Sequence, residues 1–191
     1  MRFSWLGLVL AMAITTVGGT RSYLDGPPTA HTGGFGEPTC HRCHFDQPLN
    51  DPGGSLRLLG VPEVYRAGAR YTLTIDLART GVQRGGFQVA ARFAEGAHAG
   101  RQAGALAELD DRVKVVRDDS SAVQYTYHTE AGTALDTPHT MRWTVAWTAP
   151  ETTQARVVFH VAANAANDDA SEFGDFIYVA EGVSSGSEGG E

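Results

Sequence analysis

Period-two alternation recurs along most of this 191-residue chain and commits it to β-structure. Tyr71, Leu73, Ile75 and Leu77 alternate with Thr72, Thr74 and Asp76, and Trp143, Val145 and Trp147 alternate with Thr144 and Ala146. A period of two sends every second side chain to the same face, so each run predicts a half-buried strand. Runs of the same kind cover residues 87–93, 112–117, 123–128, 156–162 and 176–180, and Gly, Pro, Asn or Asp clusters separate most of them. Residues 100–109 alone offer a brief helical alternative. About eight short strands at this spacing predict an all-β, immunoglobulin-like β-sandwich. Trp143, Trp147, Phe159 and Tyr178 follow the strand period and are expected in its core.

The flanks read differently. Residues 1–19 have the form of a signal peptide: Arg2, an apolar run from Trp5 to Val17, then Gly18 and Gly19. That run is shorter than the roughly 20 residues of a membrane span, and no second run approaches that length, so the mature chain is expected to lack a transmembrane segment. An exported protein, periplasmic or at the cell surface, is the expectation. Residues 20–54 are rich in Gly, Pro and Thr and lack apolar periodicity, so a bound cofactor is expected to order them. Residues 55–183 are assigned to the sandwich. Residues 184–191 contain only Gly, Ser and Glu and are expected to form a disordered tail. The net charge of −7, with both signs interspersed, argues against a nucleic-acid partner, which would want a basic stripe.

The chemistry is concentrated in Cys40-His41-Arg42-Cys43-His44, which has the C-x-x-C-H form of c-type haem attachment. Two thiols about one turn apart suit thioether links to the two vinyl groups of one haem, and His44 then falls under the iron as proximal ligand. The expected cofactor is therefore one covalent haem c, held by Cys40, Cys43 and His44. Three other readings use the same residues: a plain Cys40–Cys43 disulfide, a redox dithiol, and zinc held by both thiolates with His44. Asn164, Asn167, Asp168, Asp169 and Asp175 form an oxygen-rich group whose expected role is turn formation. No Ser-His-Asp or Cys-His nucleophile pattern stands out, and the chain is not expected to be an enzyme.

Several segments together resemble a known family. They are Gly33-Gly34-Phe35-Gly36-Glu37-Pro38-Thr39-Cys40 leading into Cys43-His44, then Gly86-Phe87-Gln88, and Tyr125-Thr126-Tyr127-His128-Thr129. The strand Trp143-Thr144-Val145-Ala146-Trp147-Thr148-Ala149-Pro150, the segment Ala163-Asn164-Ala165-Ala166-Asn167-Asp168 and the run Gly174-Asp175-Phe176-Ile177-Tyr178 complete the set. In these the chain resembles the bacterial Reeler-like surface domains, also called choice-of-anchor V, which join a short C-x-x-C-H segment to a β-sandwich. The resemblance implies a Reeler-like sandwich and a haem.

A low-spin electron carrier needs a second axial ligand. His128 ends a strand, on the face opposite Tyr125 and Tyr127, and lies in a segment that carries the resemblance, so it is the expected distal ligand of the iron. His160 is the second choice and Met141 the third. The expected function is a monohaem c-type cytochrome carrying single electrons outside the cytoplasmic membrane, with a redox partner protein that the sequence does not identify. The alternative is an extracellular binding or structural module in which haem, or a Cys40–Cys43 disulfide, is structural.

Overall fold

A computed structural model describes residues 23–151 and 155–187; the expected signal peptide lies outside the described residues. Ten strands form two sheets. The first sheet has four strands in the order β1 (Gly54–Leu59), β3 (Arg70–Arg79), β8 (Thr140–Thr148) and β5 (Ala105–Glu108). The second has six, in the order β2 (Val64–Tyr65), β10 (Phe176–Gly186), β9 (Val157–Ala166), β4 (Arg84–Phe93), β7 (Gln124–His128) and β6 (Val113–Arg117). Neighbours are antiparallel except β2 and β10. The expected β-sandwich is therefore what the chain forms. No helix among the described residues is long and apolar enough to cross a membrane.

The alternation read from the sequence fills the space between the sheets. Leu73, Ile75 and Leu77 of β3 and Met141, Trp143, Val145 and Trp147 of β8 pack against Phe87, Val89 and Ala91 of β4 and Phe159, Val161 and Ala163 of β9. Both core indoles also satisfy their N–H groups, Trp143 on the Gly132 carbonyl at 2.8 Å and Trp147 on the Ala103 carbonyl at 3.0 Å. A buried indole without such a partner would forfeit part of what its burial contributes.

Two expectations about regular structure need correction. Residues 100–109 contain no helix; Gly100 and Gly104 turn the chain with φ of 78° and 73°, and β5 then pairs with the edge of β8. The tail expected from residue 184 is still strand as far as Gly186. Ser184 is fully buried opposite Val157, and Ser185 and Gly186 pair with β2. Composition describes side chains, whereas the ladder is made by backbone groups that Ser and Gly possess like any residue. Residues 188–191 lie outside the described residues.

Candidate functional site

The segment from Tyr23 to Asn50 crosses the outer face of the six-stranded sheet. On β4 the residues Phe87, Val89 and Ala91 point into the sandwich, so Gln88 and Arg92 point outward, where the segment meets them. Gln88 receives the His31 N–H on Oε1 at 2.7 Å and donates to the Pro28 carbonyl at 2.8 Å. Arg92 pairs with Glu37, whose Oε1 also accepts the Tyr125 hydroxyl, while Glu37 Oε2 accepts the Thr32 hydroxyl at 2.6 Å. Phe35 lies against both Arg92 and the His160 ring. Gly34 is placed so close to His160 that a Cβ there would collide with the imidazole. Further on, Asn50 donates its N–H to the Ile177 carbonyl at 2.9 Å and accepts the Val179 N–H at 2.8 Å, and the chain then enters β1. A ladder of contacts to β4, β7, β9 and β10 thus holds the segment to the sheet, alongside any contribution from the cofactor expected there.

Within this strap, Cys40–Arg42 form a 3-10 turn, capped by the Thr39 hydroxyl accepting the His41 N–H at 3.1 Å. The N–H groups of Cys43 and His44 both return to the Cys40 carbonyl, at 3.2 and 3.1 Å, which winds the two cysteines and the histidine into one tight turn. Neither thiol is in a disulfide; Cys40 is half-buried and Cys43 exposed. Burial pushes the Cys40 thiol up to about 12. His41 is tied back by its Nε2 to the Gln47 carbonyl at 2.9 Å. Phe45 and Phe173, both more than half exposed, meet edge to face beside the turn at 5.9 Å.

His44 is the most constrained member of the turn. Its Nδ1 lies 2.8 Å from Oδ2 of Asp175, a carboxylate only 2% exposed. A carboxylate accepts, so the proton sits on Nδ1, and Nε2 is the ring nitrogen with a lone pair to offer. Asn164 donates from Nδ2 to the same Asp175 oxygen at 3.0 Å, and Asp175 Oδ1 accepts the Asn167 N–H at 3.1 Å. The 3.4 Å approach of Asn164 Nδ2 to His44 Nδ1 is two donors brought together by one acceptor. Two thiols and an imidazole oriented through Nδ1 on one turn fit the donor set that a covalent haem c would use, Cys40 and Cys43 for the thioethers and His44 Nε2 for the iron. Among the described residues no three His, Cys, Asp or Glu side chains gather as a cage for a metal ion.

The other expected iron ligands are differently placed. His128 does not present a nitrogen to the strap's turn: its Nδ1 accepts the Phe87 N–H at 3.0 Å and its Nε2 donates to the Tyr23 carbonyl at 3.1 Å. It is 8% exposed, packed against Gly86, and burial lowers its pKa. With both ring nitrogens engaged by backbone groups, His128 could serve as the expected distal ligand only by giving up one of these bonds. His128→Ala is accordingly expected to cost about 2 kcal/mol in a denaturant titration, by orphaning the Phe87 N–H. It should not produce the high-spin spectrum that loss of an axial ligand gives. Met141 is fully buried between the sheets. His160 does lie beneath the strap, with Nε2 3.4 Å from Glu181, but Gly34 and Phe35 cover it.

The Asn- and Asp-rich group has the turn-forming role expected of most of it. Asn167 Oδ1 accepts the Asp169 N–H at 3.1 Å, and Asp169 Oδ1 accepts the Ser171 N–H at 2.9 Å. Asp175 and Asn164 are the exceptions, since Asp175 holds His44 and Asn164, within β9, donates to Asp175. Sequence reasoning missed Glu37, Gln88, Arg92 and Asn50. One signal was present: Glu37 is the only charged residue between Gly26 and Thr39, and Gln88 and Arg92 interrupt a strand whose neighbouring residues are apolar.

No protein-family model matches the chain, and no curated protein matches it significantly. Among solved structures it is similar to the reeler domain of human F-spondin, at 20% identity and a TM-score of 0.44 over 69% of this chain and 89% of that one. It is also similar to AvmM, described as catalysing macrocyclization in alchivemycin A biosynthesis, at 15% identity and a TM-score of 0.45 over 75% and 93% of the two chains. A cohesin module from a Clostridium perfringens family 33 glycoside hydrolase gives 8% identity and a TM-score of 0.48 over 71% and 98%. At these identities the likeness is of fold alone.

Proposed function

We propose that this chain is an exported β-sandwich carrying one haem c, bound through Cys40, Cys43 and His44, and that it passes single electrons outside the cytoplasmic membrane. The observation that supports this most is the pairing of His44 Nδ1 with the buried Asp175 carboxylate on the same turn as two unpaired thiols. Each thiol would add across one vinyl group, sulfur to one carbon and hydrogen to the other, with no change of oxidation state. When bound, the haem supplies one-electron chemistry. His44 would hold it through Nε2, Asp175 keeps the imidazole from turning, and Phe45 and Phe173 would offer it an apolar flank. The net charge of −7 favours a redox partner with a positive docking patch.

A second reading, an extracellular binding or structural module, draws on the strap itself. Gln88, Glu37, Arg92 and Asn50 hold it to the sheet without calling on either cysteine, so haem or a disulfide there would add to an existing structure. The visible spectrum separates the readings. Full-length chain produced with a cytochrome c maturation system should show a sharp reduced α band that survives acid–acetone extraction, and should be reoxidised rapidly by a soluble one-electron acceptor. A colourless, folded product overturns the haem; covalent haem that exchanges no electrons leaves the structural module.

A further inference from the structure

His44 and Asp175 are joined by a contact stronger than orientation alone requires. Resting on the haem reading above, we infer that Asp175 is a positioning residue that holds the reduction potential of a His44-ligated iron low. Many imidazoles could be steered by a neutral carbonyl; here the acceptor is a carboxylate, 2.8 Å from Nδ1 and 2% exposed. A carboxylate drawing on the Nδ1 proton gives the ring part of the character of imidazolate and makes Nε2 a stronger donor. Stronger donation and a nearby buried negative charge both favour the ferric over the ferrous ion, and burial leaves that charge weakly screened. The step so biased is the gain of one electron by the ferric ion from a one-electron donor protein. The proton stays between Nδ1 and Oδ2 throughout, so none is released.

Asn164 acts against Asp175 on the same oxygen. Its amide donates to Oδ2 at 3.0 Å and takes up part of the basicity that would otherwise fall on the His44 proton. Among the described residues its own Oδ1 has no hydrogen-bond partner although it is buried, so it is the N–H that this orientation serves. Ordinarily such an orphaned acceptor costs stability. The site therefore contains two opposed groups, one lowering the potential and one moderating the first.

The test is a spectroelectrochemical titration of the haem-loaded full chain. Asp175→Asn should shift the midpoint upward by about a tenfold change in the ferrous-to-ferric ratio at fixed poise, 59 mV for one electron. Asn164→Ala should shift it downward by a smaller factor, and Asp175→Glu should restore a value near that of the parent. Asp46→Asn removes an exposed carboxylate near the same turn and should change the ratio less than twofold. A haem-loaded Asp175→Asn protein with the parent's potential overturns the inference, as does an Asp46→Asn shift of equal size, which would make the effect one of charge alone. Where Asp175→Asn does not fold, the sign of the Asn164→Ala shift decides, and no downward shift overturns the inference. A chain that acquires no covalent haem in any form refutes the underlying reading instead.

Discussion

Replacing Cys40 and Cys43 together by alanine is expected to abolish covalent haem entirely while leaving the sandwich and its strap folded. Colour is lost because both thioether links go, and a haem bound by His44 alone dissociates in acid–acetone. The fold is kept because the strap's attachments lie elsewhere: Gln88 to Pro28 and His31, Glu37 to Arg92 and Tyr125, Asn50 to Ile177 and Val179, and His44 to Asp175. Chains in which a metal or cofactor supplies the folding energy unfold without it, whereas the contacts that hold this strap to the sheet call on neither cysteine. The measurements are the mass of the intact protein, which reports attachment, and its thermal unfolding, which reports the fold. A double variant whose residues 23–50 become protease-sensitive while the sheets persist would mean that the cofactor orders the strap after all.

Glu37→Ala should be the most damaging single change in the strap, costing about 4 kcal/mol. The Glu37 and Arg92 side chains are 11% and 6% exposed, and removal of the carboxylate leaves a buried guanidinium facing the Tyr125 hydroxyl and the rings of Phe35 and Tyr125, with Asp118 as a more distant negative charge. Burial already lowers the Arg92 pKa, a sign of how poorly that site tolerates charge on its own. Thr32 loses its acceptor in the same step. Replacing both partners by methionine should cost much less, because neither charge then remains to be desolvated. Denaturant midpoints of the two variants check this, and a Glu37→Ala loss below about 1 kcal/mol would show that the pair does not anchor the strap.

Legibility in the sequence followed the range of the interactions. Strands whose inward residues alternate over five or more positions, such as β3 and β8, could be read directly, because their period is local. β5 could not, since Leu106 is its only large inward residue and the alanines around it suit helix as well as strand. The Cys40–His44 turn was equally visible because Cys40, Cys43 and His44 are close in sequence. What anchors the strap that carries it was not: Arg92 lies 55 residues beyond Glu37, and Tyr125 lies 88 beyond. His128 illustrates the limit of parity. Alternation tells which face a strand-end residue leaves by, but not that Gly86 leaves room for its ring or that Phe87 and Tyr23 use up both nitrogens.

The strap over the outer face turns the six-stranded sheet into the middle of three layers, with unlike joints on its two sides. Toward the other sheet the joint is hydrocarbon, and its strength fades as the temperature falls. Toward the strap it is made largely of amides, carboxylates and a guanidinium, for which cooling carries no such penalty, with a small apolar contribution from Ala30 against Ala90, Val123 and Tyr125. β4 belongs to both joints, and for that reason all its residues from Gly85 to Arg92 are buried, the polar Gln88 and Arg92 among them. Cold and heat therefore load opposite sides of the same strand, and the layer carrying Cys40, Cys43 and His44 is the one whose grip does not loosen on chilling.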